Sequence, residues 1–351
     1  MRGDFTRNTF VRQKHYSSVR LQQGRVGPLD AEWNEQLDIE AHLARTTNQD
    51  VIGLCGGPKG QDADGNDLAG FEIAATGQDL SISKGRYYVH GILIENETEV
   101  DITSQEDLPD YNPLADPNLA PGIYLAYLDV WERHITALDD EEIREVALGG
   151  PDTTTRTRVI WQVKVAQVGD PGDTVTCDDL GDWTPADAAS TGELAAQAEP
   201  ASDDQGPCIV PPGAGYRRLE NQLYRVEIHQ GGGVDTATFK WSRENGSVVT
   251  RWESQDGNNL TVTSAGRDRV LGFATGSWVE LTDDTRELLG QPGVLVRLNR
   301  VEGNVLTIDP ATILDPTDPT ATAVDRNAFP RNPMIRRWES DGAQAVTIPA
   351  D

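Results

Sequence analysis

The sequence is short of lysine, cysteine, histidine and long apolar runs, and each shortage excludes something. Five lysines (Lys14, Lys59, Lys84, Lys164 and Lys240) stand against 57 acidic residues in a chain of 351, and the formal net charge is −27. A nucleic-acid binder needs a basic stripe to neutralise phosphates, and none is present. An anionic membrane surface would repel such a chain. The apolar runs fall far short of the roughly 18–20 residues that a membrane helix needs, so no membrane insertion is expected. The opening MRGDFTRNTF lacks the apolar stretch of a signal peptide, and synthesis in the cytoplasm without a leader is the expectation. Cys55, Cys177 and Cys208 form no CxxC pair. Free thiols are the default for a cytosolic product, with a Cys177–Cys208 bridge left open.

Catalytic constellations are missing as well. There is no HExxH, GxSxG, GxxxxGK[ST] or helix-opening GxGxxG. The five histidines (15, 42, 90, 134 and 229) are scattered, and His90 and His229 fall on strand patterns. Trp131-Glu132-Arg133-His134 sets an acid near a base, but neighbouring strand residues point to opposite faces, which favours a Glu–Arg pair at a sheet end. The expectation is a protein that is not an enzyme, with no catalytic residues and no cofactor. Asp62, Asp64 and Asn66 supply oxygens at the first three ligand positions of a calcium loop. Asp67 replaces the required glycine and Ile73 the final glutamate, so an acidic turn is the better reading and these three are weak metal candidates only.

What the sequence does contain is acid and arginine. Asp outnumbers Glu by 35 to 22, and 25 of the 30 basic residues are arginine. Charge this far from zero repels itself at low ionic strength, and salt removes the repulsion. The composition therefore suggests a halophilic, acidic protein working in concentrated salt. Residues 1–28 form a polar arm in which Arg2, Arg7, Arg12, Arg20 and Arg25 thread an otherwise acidic molecule. Arginine grips carboxylates bidentately, so the arm either docks on an acidic neighbour or folds back on its own domain.

The periodicity predicts a mainly β protein with one N-terminal helix, an α+β class built of β-sandwich and small-barrel modules. The helix is expected over about Asp30–Asn48, with Asp30 as N-cap and Trp33, Leu37, Ile39, Leu43 and Ala44 along its apolar stripe. Trp33 in its first turn suits packing on a sheet or on another copy, which makes it an interface candidate. Residues 29–169 are expected to form a helix-plus-β domain. Residues 170–213, rich in Asp, Ala, Gly and Pro, form an acidic insert, and 214–351 form further β structure. Short strands separated by turns at about 270–310 fit an SH3-like or OB-like barrel. Its last strands come from Ile335–Trp338 and Ala345–Ile348, from a neighbouring subunit, or from chain beyond Asp351.

Four stretches resemble a known bacterial and archaeal family. They are MRGDFTRNTF…HYSSVRLQQGRV…LDAEWNEQLDI, GRYYVHGILIENE, YLDVWERHITALDD…IREVALGGPDTTTRTRVIWQV, and ENQLYRVEIHQGG…ATFKWSRENGSVV. Together they cover most of residues 1–300. The family is an uncharacterised domain that looks like those encoded in contractile, phage-tail-like injection system clusters, and this chain resembles a haloarchaeal member. The insert at 170–213 is longer than in the family pattern, and the family continues past the barrel. The resemblance implies a structural protein of the baseplate or tail-fibre region, acting as a homo-oligomer of three or six copies. Its partners would be copies of itself and other tail proteins, with a target-cell glycan or protein as a further partner of a fibre module. Two alternatives stay open: a glycan- or receptor-binding module, and a hydrolase of cell-surface polysaccharide. The resemblance implies a place in an assembled particle, with release from the cell left open, and carries no catalytic residue.

Overall fold

A computed structural model describes residues 2–5, 10–24, 29–76, 79–113, 121–181, 183–185, 223–233, 236–339 and 344–345. The apolar stripe does produce a helix: α1 spans Asp30–Ile52. Asp30 is its first helical residue rather than its cap, and the Glu32 carboxylate takes the capping role by accepting from the Leu29 N–H at 3.1 Å. Two acids in the first turn face the positive end of the helix dipole. No helix among the described residues is long and apolar enough to cross a membrane.

The first half continues with β1 (Cys55–Gly56), β2 (Ile73–Thr76), β3 (Asp79–Ile82), β4 (Gly85–Val89), β5 (Ile92–Asn96), β6 (Val100–Asp101), β7 (Ile123–Ile135) and β8 (Arg156–Gly169). Strands β1-β4-β5 and β2-β3-β6 form two small antiparallel sheets, and β7-β8 is a long antiparallel ribbon. One core joins them. Phe71, Ile82, Ile94, Ile102 and Val163 are buried together, with Leu128, Val130 and Trp161 packed against them. The acidic stretch Asp139–Leu148 forms two single 3-10 turns, Glu141–Ile143 and Val146–Leu148.

The turn between β4 and β5 fixes the helix on this unit. His90, expected on a strand, instead forms the two-residue turn with Gly91, both at positive φ (47° and 77°), the geometry that suits a tight hairpin. A Cβ on Gly91 would run into the Arg45 carbonyl oxygen of α1. Glycine is therefore what lets the turn sit against the helix, where Asn48 Nδ2 donates to its carbonyl at 3.0 Å.

The second half contains β9 (Arg225–Gln230), β10 (Thr238–Ser242), β11 (Val249–Asp256), β12 (Asn259–Val262), β13 (Trp278–Thr282), a short α2 (Asp284–Leu288), β14 (Val294–Glu302), β15 (Val305–Ile308), β16 (Met334–Trp338) and β17 (Gln344–Ala345). Six of these strands close into a barrel in the order β11-β12-β15-β14-β13-β16. It spans residues 249–338, well beyond the 270–310 of the sequence expectation, and this chain alone closes it. The closing strand β16 pairs with β11 on one side and β13 on the other. Inside lie Trp252, Leu260, Val279, Leu281, Val296, Leu306 and Ile335. Burying each such side chain contributes about 1.5–3 kcal/mol. Outside the barrel, β17-β10-β9 forms a three-stranded sheet.

Candidate functional site

Period-two alternation on β13 sends Val279 and Leu281 into the barrel and Glu280 out of it. The outward face is not solvent. Glu280 is 2% exposed and lies opposite Arg336 of β16 in register. On β10, Lys240 is 1% exposed and its Nζ grips Glu280 Oε1. The indole N–H of Trp338 donates to the other Glu280 oxygen at 2.9 Å, and the Gly293 N–H donates to Oε1 at 2.8 Å. The Lys240 ammonium also lies 4.7 Å from the Trp338 ring centroid. Both oxygens of this carboxylate are thereby engaged.

Around that pair the chain gathers charges from distant segments. Arg2 holds Glu227 of β9 with Nε and Nη2 (2.9 and 3.0 Å) and reaches Glu287 of α2 with Nη1 at 2.7 Å. Glu287 also accepts from Arg336 at 3.2 Å and from Arg133 of β7 at 3.2 Å. Arg133 continues to Asp284 at 2.5 Å and Asp139 at 3.1 Å, and Arg225 joins Glu227 at 2.5 Å. Five cations (Arg2, Arg133, Arg225, Lys240 and Arg336) thus meet five carboxylates (Asp139, Glu227, Glu280, Asp284 and Glu287). The junction is electrically balanced, with Lys240, Glu280 and Arg336 buried and its other members half-buried, the condition under which such charges are tolerated.

Protonation follows from this geometry. Burial alone would raise Glu280, but Lys240 and Arg2 outweigh it, and the group sits down at about 2. Glu227 and Glu287 are also held below the usual range: burial opposes, and the surrounding guanidiniums prevail. Burial lowers His134 and His229, whose rings flank the junction.

The N-terminal strap is part of this site. Beside Arg2, the Gly3 carbonyl accepts from Asn245 Nδ2 at 3.0 Å, and the Phe5 ring meets His134 edge-on at 5.5 Å. Of the two readings of the arm, Arg2 therefore takes the folded-back one, with 28% of its side chain exposed. Arg12 and Arg20 are exposed, and Arg7 and Arg25 lie outside the described residues. Trp33 is 60% exposed on α1, so nothing within the described chain covers it.

Other sequence candidates are spread over the molecule. Glu132 and Arg133 do not pair with each other: Glu132 is held by Arg45 of α1 and Arg133 by the junction carboxylates. Asp62 spends its carboxylate on the turn, accepting from the backbone N–H groups of Asp64 (2.9 Å) and Asn66 (2.8 Å) and from Asn66 Nδ2. No group of three or more His, Cys, Asp or Glu among the described residues is arranged to hold a metal ion. Cys208 of the possible bridge lies outside the described residues, and Cys55 is free and exposed. Within the insert, Trp183 packs edge-on against Tyr127 of the ribbon at 5.0 Å.

The sequence reading missed the junction. Its one local signal was Lys240, set between Phe239 and Trp241 in a chain with four other lysines. A family model described as a family of unknown function (DUF6519) matches residues 1–176 and 168–349. No curated protein and no solved structure matches the chain.

Proposed function

We propose that this chain, which belongs to the DUF6519 family of unknown function, is a structural component of a contractile, phage-tail-like particle. Its work there is oligomeric assembly in the baseplate or fibre region, with copies of itself and other tail proteins as partners. The observation that carries this reading is the outer face of α1. Trp33, Leu37, Ala44 and Val51 share one exposed face of the helix with Leu43 exposed at its edge, while Ala31 on the opposite side and Ile39, one turn before Leu43, are buried. An acidic chain that leaves a Trp, two Leu and a Val uncovered on one helix presents a surface suited to a partner. The ionic junction supports the same role by clamping strap, ribbon, sheet and barrel together, as load transmission requires. The sequence resemblance supplies the particle.

The proposal is tested on tail-like particles purified from a host that encodes the chain. Mass spectrometry and antibody labelling under the electron microscope are expected to find it at one end of the particle in fixed stoichiometry. Its absence from washed particles would remove the assignment.

A further inference from the structure

Helix α1 is apolar along its exposed face and acidic around it. Asp30, Glu32, Glu35, Asp38, Glu40 and Asp50 stand on this helix against a single arginine, Arg45, which Glu132 of β7 already holds. Glu40 is exposed on the same face as Trp33, Leu37 and Ala44, and its carboxylate accepts from the neutral Gln36 amide at 2.7 Å. A second α1 laid against this face would set acid against acid. The chemistry that suits the face is therefore apolar with positive charge beside it.

One surface loop of the same chain has that chemistry. Residues 265–272, between β12 and β13, expose Val270 (66%) and Leu271 (56%) beside Arg267 and Arg269. Neither arginine makes a hydrogen bond or an ion pair among the described residues, although the chain carries 57 acidic residues. A second exposed apolar turn, at Val146 and Leu148, carries Glu141, Glu142 and Glu145 against Arg144 and would be repelled by the helix. The arginine-bearing loop is also built to keep its shape. Asp268 Oδ1 accepts from the backbone N–H groups of Val270 (2.7 Å) and Leu271 (2.9 Å). The buried Arg337 of β16 donates to the Val270 carbonyl at 3.0 Å and to the Gly272 carbonyl. The Phe273 N–H closes the neck of the loop on the Ala265 carbonyl at 2.9 Å. A loop held in this way loses little freedom on docking.

We propose that this loop docks on the α1 face of a second copy, Val270 and Leu271 meeting Trp33 and Leu37, and Arg267 or Arg269 meeting Glu40. The two surfaces differ, so the contact is heterologous, head to tail, and repeats into a ring where its rotation closes. The inference rests on the assembly reading above and adds to it the surface that α1 meets.

The test runs three full-length chains in sedimentation equilibrium: the unaltered one, Trp33→Glu/Leu37→Glu, and Arg269→Glu/Val270→Glu, each variant checked by circular dichroism. Each variant alone is expected to run as a monomer. Their equimolar mixture is expected to form a dimer and nothing larger, because the loop of the first still fits α1 of the second while the opposite contact is dead. If Arg269→Glu/Val270→Glu assembles as the unaltered chain does, or if the mixture stays monomeric, this inference is overturned and assembly through α1 stands. If the unaltered chain is itself monomeric, the assembly reading falls and this inference falls with it. Should a double variant fail to fold, the single exposed changes Glu40→Arg and Arg269→Glu decide. Each is expected to weaken association at least about tenfold and their mixture to recover it; unchanged association in both would overturn the contact.

Discussion

At the scale of single residues, the Lys240–Glu280 pair carries the strongest consequences. Both side chains are removed from water, so each depends on the other far more than a surface ion pair would. Lys240→Met leaves Glu280 buried beside one fewer cation and is expected to cost about 3–5 kcal/mol, measured by urea unfolding. Combining it with Glu280→Gln is expected to restore part of the loss, because the uncompensated charge has gone. A single-variant loss below about 1 kcal/mol would mean that water reaches the pair. The pH dependence has a definite sign. Unfolded histidine protonates at about 6.5, whereas burial holds His134 and His229 lower in the folded chain. Below that pH the unfolded state binds more protons, so stability is full above it and falls as the pH drops toward the folded values. Glu227, Glu280 and Glu287 add a second loss below their usual value of 4.5. Asp107 and Asp284, pushed up by burial, oppose that second loss and reduce its slope. Urea midpoints measured from about pH 8 to pH 4 are expected to be flat at first and then to descend. A midpoint that rises on acidification from neutrality would contradict the lowering of these two histidines by burial.

At the scale of elements, legibility tracked how local the determining pattern is. The helix carries its own periodicity, and its expected position over about Asp30–Asn48 fell close to the observed Asp30–Ile52. The barrel was read from its middle strands and, among the alternatives for its last strands, from Ile335–Trp338, while β11 and β12 were not assigned to it. Its closing strands β11 and β16 lie about 80 residues apart in sequence, and β16 reads MIRRW with all five residues buried. Two adjacent arginines in an interior strand run against the usual alternation. They are tolerated because Arg336 donates to the Gly246 carbonyl at 2.5 Å and pairs with Glu287, while Arg337 pairs with Glu244 and Glu339. Those partners lie from two to more than ninety residues away, and most are invisible to a local window. The close approach of α1 to the β4–β5 turn rests on one glycine. Gly91→Ala is expected to destabilise the protein by more than about 2 kcal/mol, because positive φ and the Arg45 carbonyl both exclude a Cβ. Thermal unfolding measures this, and an unchanged midpoint would show that the turn can move away from the helix.

At the scale of the whole molecule, the net charge of −27 and the charges that build the junction do different work. Most of the acid is solvated and repels itself, which is the basis for proposing adaptation to concentrated salt. The unfolding midpoint is therefore expected to rise steadily with potassium chloride into the molar range, and a midpoint independent of salt would remove that proposal. The junction is neutral and its Lys240–Glu280 centre is buried, so salt reaches that centre poorly. This division also explains why the site was hidden in the sequence. With 57 carboxylates, no local pattern marks the five that matter; only the fold, by bringing Arg2 to Glu227 and Glu287 across more than two hundred residues, selects them. The α1 face was the legible part, since a helical stripe headed by Trp33 declares itself in sequence.

That face makes assembly the central claim, and sedimentation equilibrium in molar potassium chloride tests it most directly. The full-length chain is expected to run as a closed oligomer of three or six copies. The Trp33→Glu/Leu37→Glu double variant, with an unchanged circular dichroism spectrum, is expected to run as a monomer. A full-length chain that stays monomeric across the whole accessible concentration range would contradict the account.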